Sequence, residues 1–174
     1  IVEKRNFVDI LKPNIVKVGN EYQTIRDAVN NPLNSKSFEE FLHSSDDVLC
    51  VVNDGTRPTP THKVIDALYD KIEDKRFKFI IATGTHREPT ADEFKYIFGN
   101  FYSKFKDKIF VHNAEKVKDM VYLGKTSLGT DVRINHIAVD AKNILTINSV
   151  EPHYFTGYTG GRKSIIPGLA AYET

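Results

Sequence analysis

The chain has 174 residues, enough to bury the core of one ordinary domain without disulfides or a structural metal. Its 24 Lys+Arg against 23 Asp+Glu give a net charge of +1, so no bulk positive field favours nucleic acid, although a local basic patch can still hold a phosphate. The 40% hydrophobic content with 11 Phe and 8 Tyr excludes a disordered chain, and the single cysteine excludes an intrachain disulfide and a Cys-based zinc site.

Taken in chain order, Thr24–Asn30 and Ser37–Leu42 read as two short helices. Val48–Val52 is an apolar run of strand character, in which Cys50 is a small core residue. Thr59-Pro60 places a capping residue before a proline at the first helical position, and Val64, Ile65, Leu68 and Ile72 then share one face. Phe77–Ala82 is a second strand. Thr90-Ala91-Asp92-Glu93 has the form of a capping box, followed by Phe94, Ile97, Phe98, Phe101 and Phe105 at the spacing of a core-facing stripe. Ile109–Val111 is a third strand, and Val121–Leu123 and Val132–Ile134 flank Lys125–Thr130 as a β-hairpin. Asn143–Ile147 is the fourth strand of the series. Apolar strands alternating with amphipathic helices predict an α/β fold, with a mainly parallel, Rossmann-like sheet flanked by helices and a β-hairpin insertion.

In open sheets of this kind, ligands bind beyond the carboxyl ends of the strands. Three such ends carry polar, Gly-containing segments: Asn53-Asp54-Gly55-Thr56-Arg57-Pro58, Thr83-Gly84-Thr85-His86-Arg87, and Asn148 to His153 followed by Gly157-Tyr158-Thr159-Gly160-Gly161-Arg162-Lys163-Ser164. All three are expected on one rim. The last segment departs from a P-loop, because Arg162 stands where that pattern needs glycine before the lysine. Its small residues still expose backbone N–H groups beside a cation, or form only a turn ahead of a helix.

Arg57 and Arg87 could each clamp a carboxylate or phosphate, or be surface charges beside Asp54 or Glu88. Asp54 is open to three readings: metal ligand, orienting carboxylate, or turn residue before Gly55. Of six histidines, His43 and His62 are expected to face solvent and His136 opens a short helical turn without a visible partner. His112 closes a strand but is expected outside the site. His86 and His153 sit in the dense strand-end segments, where paired imidazoles can act as acid and base near neutral pH.

The run Val150-Glu151-Pro152-His153-Tyr154-Phe155-Thr156-Gly157-Tyr158-Thr159-Gly160-Gly161-Arg162-Lys163-Ser164-Ile165-Ile166-Pro167-Gly168-Leu169-Ala170 closely resembles the signature of the nickel-dependent lactate racemase family. Asp54-Gly55-Thr56-Arg57-Pro58-Thr59-Pro60 and Ala82-Thr83-Gly84-Thr85-His86-Arg87-Glu88-Pro89-Thr90 match two further motifs of that family, in the same order. The resemblance runs from about Glu21 onward. Tyr158 and Thr159 depart mildly, standing where the family often has Phe and Ser.

The resemblance implies an N-terminal α/β domain over residues 1–174, part of a longer cytoplasmic enzyme whose C-terminal domain closes over the site. It further implies a nickel-pincer nucleotide tethered to Lys163, made by dedicated synthesis enzymes, with Asp54, Thr56, Gly84, Gly160 and Gly161 around the cofactor. His86 and His153 match the family's acid/base pair, and Arg57, like Asp54, matches a polar residue of the cofactor and substrate pocket, where its cation would orient the substrate carboxylate. No metal ligand is implied within these residues, because the nickel-binding histidine of the family lies downstream of the lysine, where this chain has none. The implied reaction is racemisation or epimerisation of a 2-hydroxy acid, lactate first among them, with no nucleic-acid or membrane partner. The competing readings are a non-catalytic phosphate- or nucleotide-binding module and a degenerate structural domain. Without the downstream parts, this length of chain is expected to fold, to lack racemase activity and to carry no cofactor.

Overall fold

Strand β1 (Asp47–Asn53) is buried on both faces from Val48 to Val52, and the rest of the molecule is assembled around it in the computed structural model. The structure describes residues 6, 8–10, 12, 14, 16, 17, 19–44, 47–73 and 76–174. β1 pairs in parallel with β2 (Arg76–Ala82) on one side and β6 (Ile144–Ile147) on the other, and β2 pairs in parallel with β3 (Ile109–Val111). The order is β3-β2-β1-β6. All four expected strands are present, and their carboxyl ends at Asn53, Ala82, Val111 and Ile147 point the same way.

The period-two geometry of a strand divides the apolar side chains between two layers. Val48, Cys50, Val52, Phe77, Phe79 and Ile81 face one side, against Ile65, Leu68 and Ile72 of α3 (Thr61–Ile72) and Ile97 and Phe98 of α4 (Ala91–Phe98). Leu49, Val51 and Ile80 face the other, against Ile134, Ala138, Leu169 and Ala170. Coverage of both faces explains why β1 reads as an unbroken apolar run and why burial pushes the Cys50 thiol far up from its usual range.

Local chemistry sets the helix ends. Asn20 caps α1 (Glu21–Asn30) by accepting from the Gln23 N–H, and Ser37 with Glu40 forms a capping box on α2 (Phe38–His43). Ion pairs join α3 to these helices through Lys63–Glu21 and Lys71–Glu39. Thr90 and Glu93 form the expected box on α4. The Phe94–Phe105 stripe packs as expected but is not one helix. Gly99, at φ 55°, ends α4 in the left-handed region, and a short 3₁₀ turn (Gly99–Phe101) leads into α5 (Tyr102–Phe105).

The expected cap at Thr59 is a correction. α3 begins at Thr61 with no side-chain cap, while the buried Thr59 hydroxyl donates to Asn53 Oδ1 at 2.8 Å. The reading of His62 as solvent-facing is also corrected, since it is half-buried with Nδ1 unpartnered, and a Cβ placed on Gly99 would lie 3.1 Å from its Cβ. The hairpin insertion is present as β4 (Met120–Lys125) and β5 (Asp131–Asn135), antiparallel, with a register shift between Tyr122 and Gly124. Its second strand leads into α6 (His136–Val139), where His136 Nδ1 lies 3.6 Å from Asp140 Oδ2. A second small hairpin that the sequence pattern did not announce joins β7 (Pro152–His153) and β8 (Gly157–Tyr158), ahead of the single turn α7 (Arg162–Ile165). No helix among the described residues is long and apolar enough to cross a membrane.

Phe79 is the aromatic centre of the larger layer, its ring 5.4 Å from Phe98, 5.1 Å from Phe105 and 6.4 Å from Phe77. Phe79→Ala is expected to cost about 3–5 kcal/mol in urea denaturation. Tyr96→Ala on the exposed face of α4 should cost less than about 0.5 kcal/mol.

Candidate active site

Because the sheet is parallel, the segments after β1, β2 and β6 emerge on one rim. Each is then tied down by side chains that close its backbone. Asn53 Oδ1 accepts from the Thr59 hydroxyl and from Ser149 N–H at 3.0 Å, joining the segments after β1 and β6. Asn148 Nδ2 donates to Ile147 O at 2.8 Å, and its Oδ1 accepts from the buried Ser164 hydroxyl at 2.9 Å. Thr159, also buried, donates to Ser149 O and accepts from Glu151 N–H, at 2.9 and 2.8 Å. A serine there would supply the same hydroxyl, so this departure from the family pattern preserves the chemistry. Gly84 N–H donates to Gly168 O at 3.0 Å, binding the second segment to the third.

These ties shape a cleft of about 320 Å³ lined by Asp54, Arg57, Gly84, His86, His153, Gly160 and Lys163. Residues drawn from all three strand ends therefore share one site. Thr56 and Gly161 do not line it: the Thr56 hydroxyl and N–H are both directed at Asp54 Oδ1, and Gly161 is exposed at the start of α7. Gly160 is needed for space. At φ 73°, a Cβ there would sit 2.9 Å from Ser149 O.

The two histidines are held differently. His86 Nδ1 lies 2.6 Å from Asp54 Oδ2, and the carboxylate is itself buried and accepts twice from Thr56. A carboxylate that only accepts places the proton on Nδ1 and leaves Nε2 as the basic nitrogen. Asp54 thus has the geometry of an orienting carboxylate and also heads a turn, its backbone O accepting from Arg57 N–H at 3.3 Å. His153 has no such partner, and its Nδ1 is buried and unbonded among the described residues. Its ring stacks on Tyr154 at 4.9 Å and meets Phe155 edge-on at 4.5 Å. Desolvation first, then the charges of Lys163 and Arg57, move its pKa below the ordinary histidine value.

Arg57 reaches Glu151 loosely, at 3.7 Å. Among the described residues Lys163 has no ion-pair partner, so its amine is uncommitted within the cleft. Arg87, weighed with Arg57 as an anion clamp, is bound bidentately by Glu93 at 2.7 and 2.9 Å. It lies instead along a neighbouring hollow of about 480 Å³, where Lys116 is likewise paired, with Asp119 at 2.9 Å. Among the described residues, no three His, Cys, Asp or Glu side chains converge as a metal site.

His112 is a strut. Its Nε2–H donates to Ala170 O at 3.0 Å and its Nδ1 accepts from Asn135 Nδ2 at 3.3 Å, while its own carbonyl accepts from the Thr83 hydroxyl at 2.7 Å. The strand-end polar residues Asn53, Asn148 and Ser164 have no individual role in the sequence reading, and Thr159 enters it only as a departure from the family pattern. Their signal was available: short polar side chains at strand ends and beside glycines, where backbone groups need partners.

Among known proteins, the lactate racemase N-terminal domain family matches residues 1–174. The lactate racemase of Lactiplantibacillus plantarum is 31% identical over 158 residues, 88% of this chain and 37% of that protein. The lactate racemase of Thermoanaerobacterium thermosaccharolyticum is 32% identical over 157 residues, again 88% and 37%. The solved apoprotein of a lactate racemase from Thermoanaerobacterium thermosaccharolyticum shares the fold with a TM-score of 0.77, at 31% identity over 87% of this chain and 37% of that one. A Thermotoga maritima protein gives a TM-score of 0.68 at 25% identity, over 87% and 39%. The chain thus spans 37% of the length of the curated relatives it matches.

The His112 network has a measurable pH signature. Desolvation lowers its pKa, against weaker opposing effects of Ala170 O and Asp119, and a proton on Nδ1 would face the Asn135 amide donor. The unfolded chain therefore takes up a proton near the ordinary histidine value while the folded chain resists it. Stability should be level above that value and fall as pH drops below it, until the lower folded pKa is reached. Thermal melts between pH 7 and 5 should show this fall, and His112→Asn should make it shallower, leaving the part that His153 contributes, at a lower overall Tm.

Proposed function

The chain belongs to the lactate racemase N-terminal domain family, and from that footing we propose that it carries the acid/base half of a 2-hydroxy-acid racemase or epimerase, with lactate as the substrate. The observation that carries the reading is the cleft: two differently held imidazoles, an uncommitted amine and a loosely paired guanidinium, all on one rim. A phosphate- or nucleotide-binding module would need the backbone N–H groups and a cation but not two histidines.

The residues fit a lysine-tethered nickel-pincer nucleotide. Lys163 offers the attachment amine, and the floor at Gly84 is open, since a Cβ there would meet nothing closer than Pro167 O at 3.8 Å. Gly84 and Gly160 would line the cofactor, with Asp54 behind His86 and Thr56 behind Asp54. When bound, the nucleotide supplies the acceptor and donor for the hydrogen at C2 of the substrate.

The protein's share is positioning and proton transfer. Arg57 binds the substrate carboxylate, which competes readily with the 3.7 Å contact to Glu151 because a carboxylate can take both guanidinium donors. His86 Nε2 takes the hydroxyl proton from one enantiomer as the carbon becomes planar. His153, neutral in solutions more acidic than would leave an ordinary histidine neutral, does the same for the other. When the opposite face is re-reduced the other imidazole gives a proton to the oxygen, so each histidine is the base in one direction and the acid in the other. Tyr154, Phe155 and Tyr158 stand exposed at the lip, an apolar surface suited to coverage by a second domain of a longer protein.

Three variants of the enzyme carrying this domain, produced with the cofactor-synthesis enzymes, test the reading. Lys163→Ala should remove the mass adduct and the nickel together. His86→Gln and His153→Gln should keep the adduct and lose at least ~10²-fold in rate, in both directions. An adduct-bearing histidine variant at near wild-type rate would show that histidine to be structural.

A further inference from the structure

Glu93 does more than close a capping box. Its Oε2 accepts from Thr90 N–H at 2.7 Å, and Thr90 Oγ1 accepts from Glu93 N–H at 3.3 Å, which completes the cap. The same carboxylate also binds both terminal nitrogens of Arg87, and a Cβ placed on Gly55 would lie 2.8 Å from Glu93 Cγ and 3.1 Å from its Cβ. Neither contact is needed to cap a helix. Gly55 directly follows Asp54, and Arg87 directly follows His86. One side chain on α4 therefore touches the residues next to both members of the 2.6 Å Asp54–His86 pair.

We propose that Glu93 is a positioning residue for the Asp54–His86 pair, fixing through Gly55 and Arg87 the two loops that bring carboxylate and imidazole together. The loops leave adjacent strands, and beside the Asn53–Thr59 and Gly84–Gly168 ties each makes a short backbone turn of its own, Arg57 N–H to Asp54 O at 3.3 Å and His86 N–H to Thr83 O at 3.0 Å. His86 is half exposed, so little packing holds its ring against Asp54. A planar fork on Arg87 matched to a carboxylate restricts both distance and angle, whereas a single hydrogen bond would allow rotation. The Arg87 pair, followed by the Thr90 N–H, holds Glu93 down to about 2, so the clamp stays charged throughout the neutral range. This role rests on the acid/base reading of His86 only for its effect on rate.

The test compares Glu93→Gln and Arg87→Met with Thr90→Ala, which removes the cap hydroxyl but leaves the Arg87–Glu93 fork. ¹⁵N spectra of the imidazoles report the His86 tautomer without any cofactor. The wild-type protein and Thr90→Ala should show the Nδ1–H form, with its proton protected by Asp54. Glu93→Gln and Arg87→Met should show mixed tautomers and an exchanging Nδ1 proton. In the cofactor-loaded enzyme these two should lose about ten- to a hundredfold in kcat with KM little changed. Arg87→Met keeps the Glu93 cap, so it decides the matter if Glu93→Gln fails to fold. Unchanged His86 spectra in both, or equal changes in Thr90→Ala, would overturn the proposal. Altered spectra with normal racemisation would uphold the positioning role and defeat the acid/base role of His86 instead.

Discussion

Parallel pairing of β1 with β2 and with β6 forces three strand ends to one rim, and the cleft is a consequence of that alignment. Had either neighbour run antiparallel, His86 or His153 would have been carried to the far end of the sheet, beyond the reach of any side chain. The alignment is stable because β1 is sealed on both faces by apolar layers. Asn53, Asn148 and Thr159 then convert a coarse meeting of loops into a defined surface, each satisfying backbone groups that would otherwise be stranded near the core.

Much of this was legible in the residues. Strands such as Val48–Val52 and Phe77–Ala82 reveal themselves because double burial demands continuous apolar character, and Thr90 with Glu93 states a helix start in local terms. Thr59-Pro60 misled because a local cap competed with a longer-range partner: Asn53 Oδ1 offers the hydroxyl a buried hydrogen bond that also serves Ser149. The β7–β8 hairpin was invisible because its strands are two residues each, too short for alternation to register. The convergence of His86, His153 and Lys163 was readable from the rule for strand ends. That Thr56 supports Asp54 rather than lining the cleft was not, because it depends on a rotamer.

The two imidazoles of the cleft are held by opposite means. His86 is directional, with a buried carboxylate dictating which nitrogen carries hydrogen. His153 is half-buried, with the rings of Tyr154 and Phe155 against it and Nδ1 without a partner among the described residues. Nearby cations act on both the proton affinity of His153 and any anionic group entering the cleft, so charge neutralisation at Lys163 would also alter the histidine beside it.

The link between Asn53 and Ser149 joins residues 96 positions apart, as does that between Asp47 and Asn143. During synthesis, β1 must therefore wait with one edge open until β6 has followed it. Pairings of such long range are slow to form, and an apolar edge left open in the meantime invites association with other chains. The order of events that follows is strict. The rim can exist only after β6 docks, so any chemistry performed on the lysine beyond it acts on a chain already folded or else meets no shaped cleft at all.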